Sequence, residues 1–251
     1  MEFKNLIQQF IIIPFRSGRL WFTLFRLPSF FRQLREYRSR SLQSVEVRHI
    51  NLQLQDATSV TAFDPHYFYQ SAWCARKIAE QNPKHHVDIA SQINLIAPLS
   101  AFVEVEFIDY RPLEVNLKNL TSRSGTILDL PFKDHSVKSL SSLHVIEHIG
   151  LGRYGDELDP EGSKKSCKEL QRILAVKGNL YLSTPVGNER IEFNAHRIHF
   201  PQTIIEYFNE LQLISFSLVN DDGVFIENAD PKTPLNFRYG LGMFHFRRGK
   251  K

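Results

Sequence analysis

Cysteine is scarce in these 251 residues: Cys74 and Cys167 are the only two, far apart and in unrelated contexts. That excludes a disulfide framework and a cysteine-based zinc site, and free thiols in a reducing compartment are the expectation. Uninterrupted apolar runs are also missing. The most apolar stretch, Leu6 to Phe31, is broken by Arg16, Arg19 and Arg26 and by Pro14 and Pro28, so it falls short of the roughly 20 apolar residues that span a bilayer. Its arginines follow the first apolar block instead of preceding it, unlike a secretory signal. No internal repeat or low-complexity tract stands out. What is present is ordinary for a globular chain, with 42% hydrophobic and 23% charged residues.

The net charge of +4 is unevenly placed. Residues 1–50 hold Lys4, Arg16, Arg19, Arg26, Arg32, Arg35, Arg38, Arg40 and Arg48 against Glu2, Glu36 and Glu46, which leaves the remainder close to neutral. The basicity therefore belongs to an N-terminal arm, residues 1–41, and not to a substrate groove. Aromatic rings mixed with arginines fit helices lying in a membrane interface. They fit equally a helical arm packed on the core or on a second subunit, as in a homo-oligomer. Nucleic acid is not expected as a partner, because the aromatic density suits lipid or protein better. Residues 42–84 form a lead-in, in which Phe63 to Ala79 reads as a helix with Tyr67, Phe68, Trp73 and Ile78 as its packing face.

From residue 85 to 251 the pattern alternates between strands and helices. Strands are expected at His86–Ile89, Phe102–Ile108, Ser124–Leu128, Val137–Leu143 and Asn179–Ser183, with helices near Ile93–Ser100, Ser163–Leu174 and Pro201–Leu211. A closing antiparallel pair is expected at Ile214–Val219 and Gly242–Arg247. This order calls for a Rossmann-like α/β domain with a mostly parallel sheet. In such sheets ligands lie outside the carboxyl ends of the strands. Asp88 and Ser91, then Asp109, then Asp129, then His144 to His148 occupy those ends. A carboxylate after the second strand suits the paired hydroxyls of a ribose, and one at Asp129 suits an adenine amino group, since each accepts what the partner donates. Capping a helix or forming a turn is the plainer role of any one such Asp. No glycine-x-glycine-x-x-glycine turn follows the first strand, which argues against a nicotinamide oxidoreductase.

The run Leu128-Asp129-Leu130-Pro131-Phe132-Lys133-Asp134-His135-Ser136-Val137, with Ser141 to Ile149, Glu169 to Leu174 and Lys177 to Pro185, resembles the middle of class I S-adenosylmethionine-dependent methyltransferases. Asp88-Ile89-Ala90-Ser91, Ile108 to Leu113, Asn194-Ala195-His196-Arg197 and Tyr239 to Phe244 resemble a less characterised branch. That branch is the domain of unknown function 268, first noted in nematode proteins. The resemblance implies a seven-stranded sheet in the order 3-2-1-4-5-7-6 and S-adenosyl-L-methionine as cofactor. Ribose would lie on Asp109, adenine near Asp129 and Leu130, and the methionyl end by Asp88 and Ser91, with His144 alongside. It also implies a sugar or other surface-glycan precursor, or another small molecule, as methyl acceptor, on the inner, cytoplasmic face of a membrane.

One departure from the family pattern is conspicuous. The turn after the first strand reads Ala90-Ser91-Gln92, without the glycines that allow close backbone approach to a cofactor. A methyltransferase fold that has lost catalysis and serves as a scaffold in glycan assembly is therefore the competing expectation. For chemistry, the candidate general bases are His196, His148 and Glu147, with Arg197 holding an anionic or polyhydroxy acceptor. Glu147 fits a structural role equally well. His144 and His148 with Glu147 lack a clear further ligand, so no metal is expected. Asp156 to Glu161 reads as a solvated loop or a lid over the acceptor.

Overall fold

The computed structural model describes residues 20–54, 56–233 and 238–249. The apolar start of the arm, residues 6–19, lies outside them. The chain divides after Ala62 into two compact units. In the first, helix α1 (Leu20–Arg40) carries exposed Phe25, Phe31 and Tyr37 among its arginines. A hydrogen bond from Arg38 to the Val45 carbonyl at 2.7 Å ties its end to the following segment. Among the described residues no helix is long and apolar enough to cross a membrane.

In the second unit, α2 (Pro65–Gln81) starts where Asp64 accepts hydrogen bonds from the backbone N–H groups of His66 and Tyr67. Pro65 sits at the first helical position, where its missing N–H costs nothing. Alternating elements follow: β1 (His85–Ile89), α3 (Ile93–Leu99), β2 (Glu104–Asp109), β3 (Leu120–Ser124), β4 (Val137–Leu143), α4 (Gly162–Ile173) and β5 (Leu174–Val186). Then come the hairpin β6 (Arg190–Glu192) and β7 (His196–Ile198), α5 (Pro201–Tyr207), β8 (Leu211–Val219), β9 (Phe225–Ile226) and β10 (Gly240–Arg248).

Among the described residues eight strands form one sheet, in the order β3-β2-β1-β4-β5-β10-β8-β9. β3, β2, β1, β4 and β5 are parallel, and β10 runs antiparallel between β5 and β8. Apart from the short edge strand β9, this is the 3-2-1-4-5-7-6 order. Central strands such as β4 are buried almost without interruption, as a sheet covered on both faces requires. Trp73, Cys74 and Ile78 of α2 join Leu95, Ile96 and Leu99 of α3 on one face. Cys167, Leu170 and Ile173 of α4 join Ile204 and Phe208 on the other.

Three local expectations change. The third strand lies at Leu120–Ser124, not at Ser124–Leu128. The polar sequence Leu-Thr-Ser-Arg-Ser belongs to an edge strand with little to bury, while Ile127 and Leu128 sit in a turn closed by Asp129 N–H donating to the Thr126 carbonyl at 3.1 Å. The loop expected after β5 contains the hairpin β6–β7. The last strand is interior, paired on both sides, although Gly242–Arg247 reads as an edge.

Between β1 and β4 runs a fully buried polar line. Ser141 Oγ donates to Asp88 and contacts His86 Nε2 at 2.8 Å, while His86 Nδ1 meets Ser139 Oγ at 2.7 Å. Burial drives the Asp88 carboxyl up to about 6, outweighing the hydrogen bonds from Ser141 and Ser91. A carboxylate whose folded pKa is raised binds its proton more tightly folded than unfolded, so its ionisation erodes stability as pH rises from about 4 to about 6. Asp88→Asn keeps an acceptor for Ser91 N–H and reverses the line's polarity. We expect it to gain on the order of 3 kcal/mol over the native chain at pH 7.5, about two pK units at 1.36 kcal/mol each. The gain should shrink toward zero near pH 4, as urea unfolding at the two pH values would report.

Candidate functional site

At the carboxyl ends of β1, β2 and β4 a cleft opens with a cavity of about 160 Å3. Its apolar floor is Ile89, Ala90, Ile108 and Ile127, and its rim includes Asp109, Arg111, Thr126, His144 and Tyr154. The enclosed part is smaller than the roughly 300–1,000 Å3 of typical ligand pockets. The exposure of Tyr110, Arg111, Thr126, Leu128 and Tyr154 shows that it continues to the surface. Ala90 adopts a left-handed conformation, φ 55°, where the family pattern has glycine. A non-glycine residue held there costs about 1–2 kcal/mol. The turn is fixed from below: Ser91 N–H donates to Asp88 Oδ1 at 3.0 Å, and Leu143 N–H donates to Ser91 Oγ at 2.9 Å. Gln92 leads into α3 and is absent from the cleft lining, so it does not block it.

The expected cofactor residues therefore separate. Asp109 and His144 line the cleft. One Asp109 oxygen accepts from the Arg111 N–H at 2.7 Å, and no protein donor among the described residues engages the other. Asp88 and Ser91 lie beneath the cleft, fully engaged in shaping it, so they position the turn without lining the cavity. Asp129 is exposed and Leu130 is packed in the core. The turn Thr126–Asp129 instead presents Thr126, Ile127 and Leu128 to the cavity. The Asp129-Leu130-Pro131-Phe132 segment is anchored elsewhere: Leu130 N–H donates to Glu169 at 2.7 Å, and Arg172 donates to the Leu130 and Phe132 carbonyls.

Beside the cleft is a second group of rings. β4 ends at His144 in a left-handed turn, φ 58°, and a short 3-10 turn, Ile146–His148, follows. Together they place Glu147 Oε1 2.5 Å from His144 Nδ1 and 3.7 Å from His148 Nε2. Glu147 is completely buried. Burial alone would raise its pKa, but His144 and His148 outweigh that and leave it below the ordinary carboxyl range. The Thr184 hydroxyl lies 3.4 Å from its other oxygen. His148 Nδ1 is 2.7 Å from the Ala195 carbonyl, so it donates there. His196 reaches this group from β7: its ring is 6.4 Å from that of His148 and 5.0 Å from Tyr239, with Nε2 3.3 Å from Glu192. It does not line the cleft. Burial lowers the pKa of both His148 and His196.

Sequence reasoning missed His66, Tyr67 and Tyr239. The His66 ring stacks 5.9 Å from His144 and 5.3 Å from Tyr239, and the Tyr67 ring is 5.2 Å from His144. Burial pulls His66 down to about 4, keeping it neutral. The Asp64-Pro65 helix start marks the point where α2 projects these two residues, but their pattern reads as packing.

Arg197 is not available to an acceptor. It is buried, donating to the carbonyls of Ile149 at 2.6 Å and Asp159 at 3.1 Å. The acidic insert is largely open to solvent, with Glu157, Leu158 and Glu161 exposed, and it is anchored at two points. Asp156 accepts from Gly150 N–H at 2.7 Å, and Asp159 binds Lys165 at 2.7 Å. The spacing glycine-x-glycine-x-x-glycine does occur here, at Gly150, Gly152 and Gly155, all with positive φ. It lies well before α4 and shapes this loop, so it lacks the strand-to-helix setting of a dinucleotide fingerprint. Among the described residues no group of three or more His, Cys, Asp or Glu could hold a metal.

The family model described as Caenorhabditis protein of unknown function, DUF268, matches residues 129–226. No curated protein matches the chain. Many solved structures share its fold at low identity. The N-methyltransferase NodS from Bradyrhizobium japonicum WM9, crystallised with S-adenosyl-L-homocysteine, aligns with a TM-score of 0.53 and 11% identity over 74% of this chain and 89% of NodS. A geranyl diphosphate methyltransferase in complex with GPP and sinefungin aligns at 0.51 and 12% identity, over 72% of this chain and 77% of its own. The [4+2]-cyclase SpnF aligns at 0.51 and 9%, over 73% and 81%. The fold is that of the class I methyltransferases, and the chain resembles the DUF268 family within it.

Arg197→Ala should strip the part-buried carbonyls of Ile149 and Asp159 of their donor, each at about 1–3 kcal/mol. The expected loss is on the order of 3 kcal/mol in urea unfolding. A fully stable variant with only impaired ligand binding would contradict the structural role.

Proposed function

We propose that this protein is an S-adenosyl-L-methionine-dependent methyltransferase. The observation that carries the reading is the cleft itself: an apolar floor at the ends of β1, β2 and β4, edged by a carboxylate with an unengaged oxygen. An adenosyl group fits this donor and acceptor set. Asp109 would take the ribose hydroxyls, and the floor and the Thr126–Leu128 turn would take the adenine. The left-handed Ala90 turn and His144 would border the methionyl end. When bound, the cofactor supplies an electrophilic methyl group on a sulfonium, whose carbon–sulfur bonding pair stays with sulfur as the acceptor attacks. The chain's share is to orient the acceptor and receive its proton.

The rings beyond His144, which would form walls for the acceptor, are aromatic and uncharged: His66, Tyr67 and Tyr239. Such walls can stack on a sugar ring and exchange hydrogen bonds with its hydroxyls, which supports a sugar or surface-glycan precursor as acceptor. The arginines and exposed rings of α1 support attachment to an anionic membrane face. A scaffold without catalysis is the second reading, favoured by the glycine-free turn.

Calorimetry with S-adenosylhomocysteine should give saturable 1:1 binding. Asp109→Ala should weaken it about tenfold or more, the loss of a charge-assisted hydrogen bond of about 1.5–3 kcal/mol. No heat of binding from folded native protein would reject the cofactor and leave the scaffold reading. Sedimentation with vesicles containing phosphatidylserine should pull down the full chain but not a chain lacking residues 1–41; equal partition of both would reject the membrane role.

A further inference from the structure

We infer that His144 Nε2 is the general base of this site, held in place by Glu147, and that the methyl acceptor is therefore a hydroxyl group. The inference rests on the methyltransferase reading and adds to it the proton acceptor and the acceptor class. His196 and His148 suit that task on sequence grounds alone, but the geometry selects their neighbour.

Glu147 is fully buried and His144 Nδ1 lies 2.5 Å from one of its oxygens. A buried carboxylate with imidazoles on two sides is ionised and can only accept, so Nδ1 carries the hydrogen and donates it. In the neutral ring this leaves a lone pair on Nε2. That nitrogen is buried and has no protein hydrogen-bond partner. An unpaired lone pair is better tolerated in the interior than an unpaired N–H, and His144 also lines the cofactor cleft. His148 also lines the cleft, but its Nδ1 donates to the Ala195 carbonyl, and the lone pair this leaves on Nε2 lies 3.7 Å from Glu147, so that nitrogen faces the carboxylate where His144 has it on the opposite side of the ring. His196 Nε2 is likewise buried without a hydrogen-bond partner, but it lies 3.3 Å from Glu192 and its ring does not line the cleft, so His196 has no access to a group held there.

A positioned base matters for some acceptors and not others. A carboxylate has no proton to lose, and a neutral amine attacks with its own lone pair. An alcohol must give up its proton as its oxygen forms the new bond. Here the hydroxyl proton passes to His144 Nε2, and the O–H bonding pair stays on the acceptor oxygen as it bonds to the methyl carbon. The resulting imidazolium is stabilised by the Glu147 carboxylate through Nδ1–H. Glu147 is thus a positioning residue.

Nitrogen-15 histidine NMR on the full chain, with His144 assigned by loss of its signals in His144→Gln, reads the tautomer directly. The Nδ1–H form is expected at neutral pH, and Glu147→Gln should mix the two forms. An Nε2–H ring, or a ring charged throughout neutral pH, would overturn the inference even if Glu147→Gln does not fold. In parallel, labelled methyl transfer to a panel of monosaccharides and nucleotide sugars should yield alkali-stable methyl ethers. There His144→Gln should lose about 10²–10⁴-fold in kcat, the worth of a general base. Methylation confined to amines or carboxylates, or unchanged kcat in His144→Gln, would also overturn it. S-adenosylhomocysteine failing to bind the native chain refutes the cofactor reading instead, because the tautomer is measured without cofactor.

Discussion

The turn that floors the candidate cleft stands on one buried carboxylate. Asp88, with no exposed surface, accepts the N–H of Ser91 and the hydroxyl of Ser141, and so joins the end of β1 to β4 and to the turn above it. Most folds of this kind use glycine to let the chain turn sharply next to the cofactor. Here the left-handed angle falls on Ala90, which pays for it in backbone strain, and the turn is held by side-chain hydrogen bonds from below. The same sheet ends then present Asp109 and His144 to the cleft. Rigidity under the turn and electrostatic tension at Asp88 are therefore one arrangement.

Much of the architecture was legible in sequence. The strands recur at regular spacing between helical segments and end in polar residues, and the helix over Gly162–Ile173 shows an apolar stripe opposite Lys164, Lys165 and Lys168. The misplaced β3 and the unforeseen β6–β7 hairpin share a cause: short strands with little burial carry little hydrophobic signal. Of the site, Asp109, Glu147, His144 and His148 were readable as strand-end residues. Arg197 was misread because a sequence cannot show that an arginine's partners are backbone carbonyls. His66 and Tyr239 were invisible for a different reason: their role depends on two segments more than 170 residues apart meeting over His144.

Fold and function separate at this point. Structures with this architecture include methyltransferases and the [4+2]-cyclase SpnF, so the topology alone does not decide the chemistry. The decision lies in a few atoms: one carboxylate oxygen of Asp109, the backbone at Ala90, and the unpaired nitrogen of His144.

The interior position of β10 has a consequence for how the molecule comes into being. β10 is the last strand among the described residues, yet it fills the gap between β5 and β8 and pairs with both along its length. Until it inserts, those two strands expose open hydrogen-bonding edges of the kind that drive aggregation. During synthesis the sheet therefore waits, half-zipped, for residues near 248, and Tyr239 arrives with them. The ring cluster around His66 and His144 thus closes in the same late event that seals the sheet, once the open edges of β5 and β8 are gone.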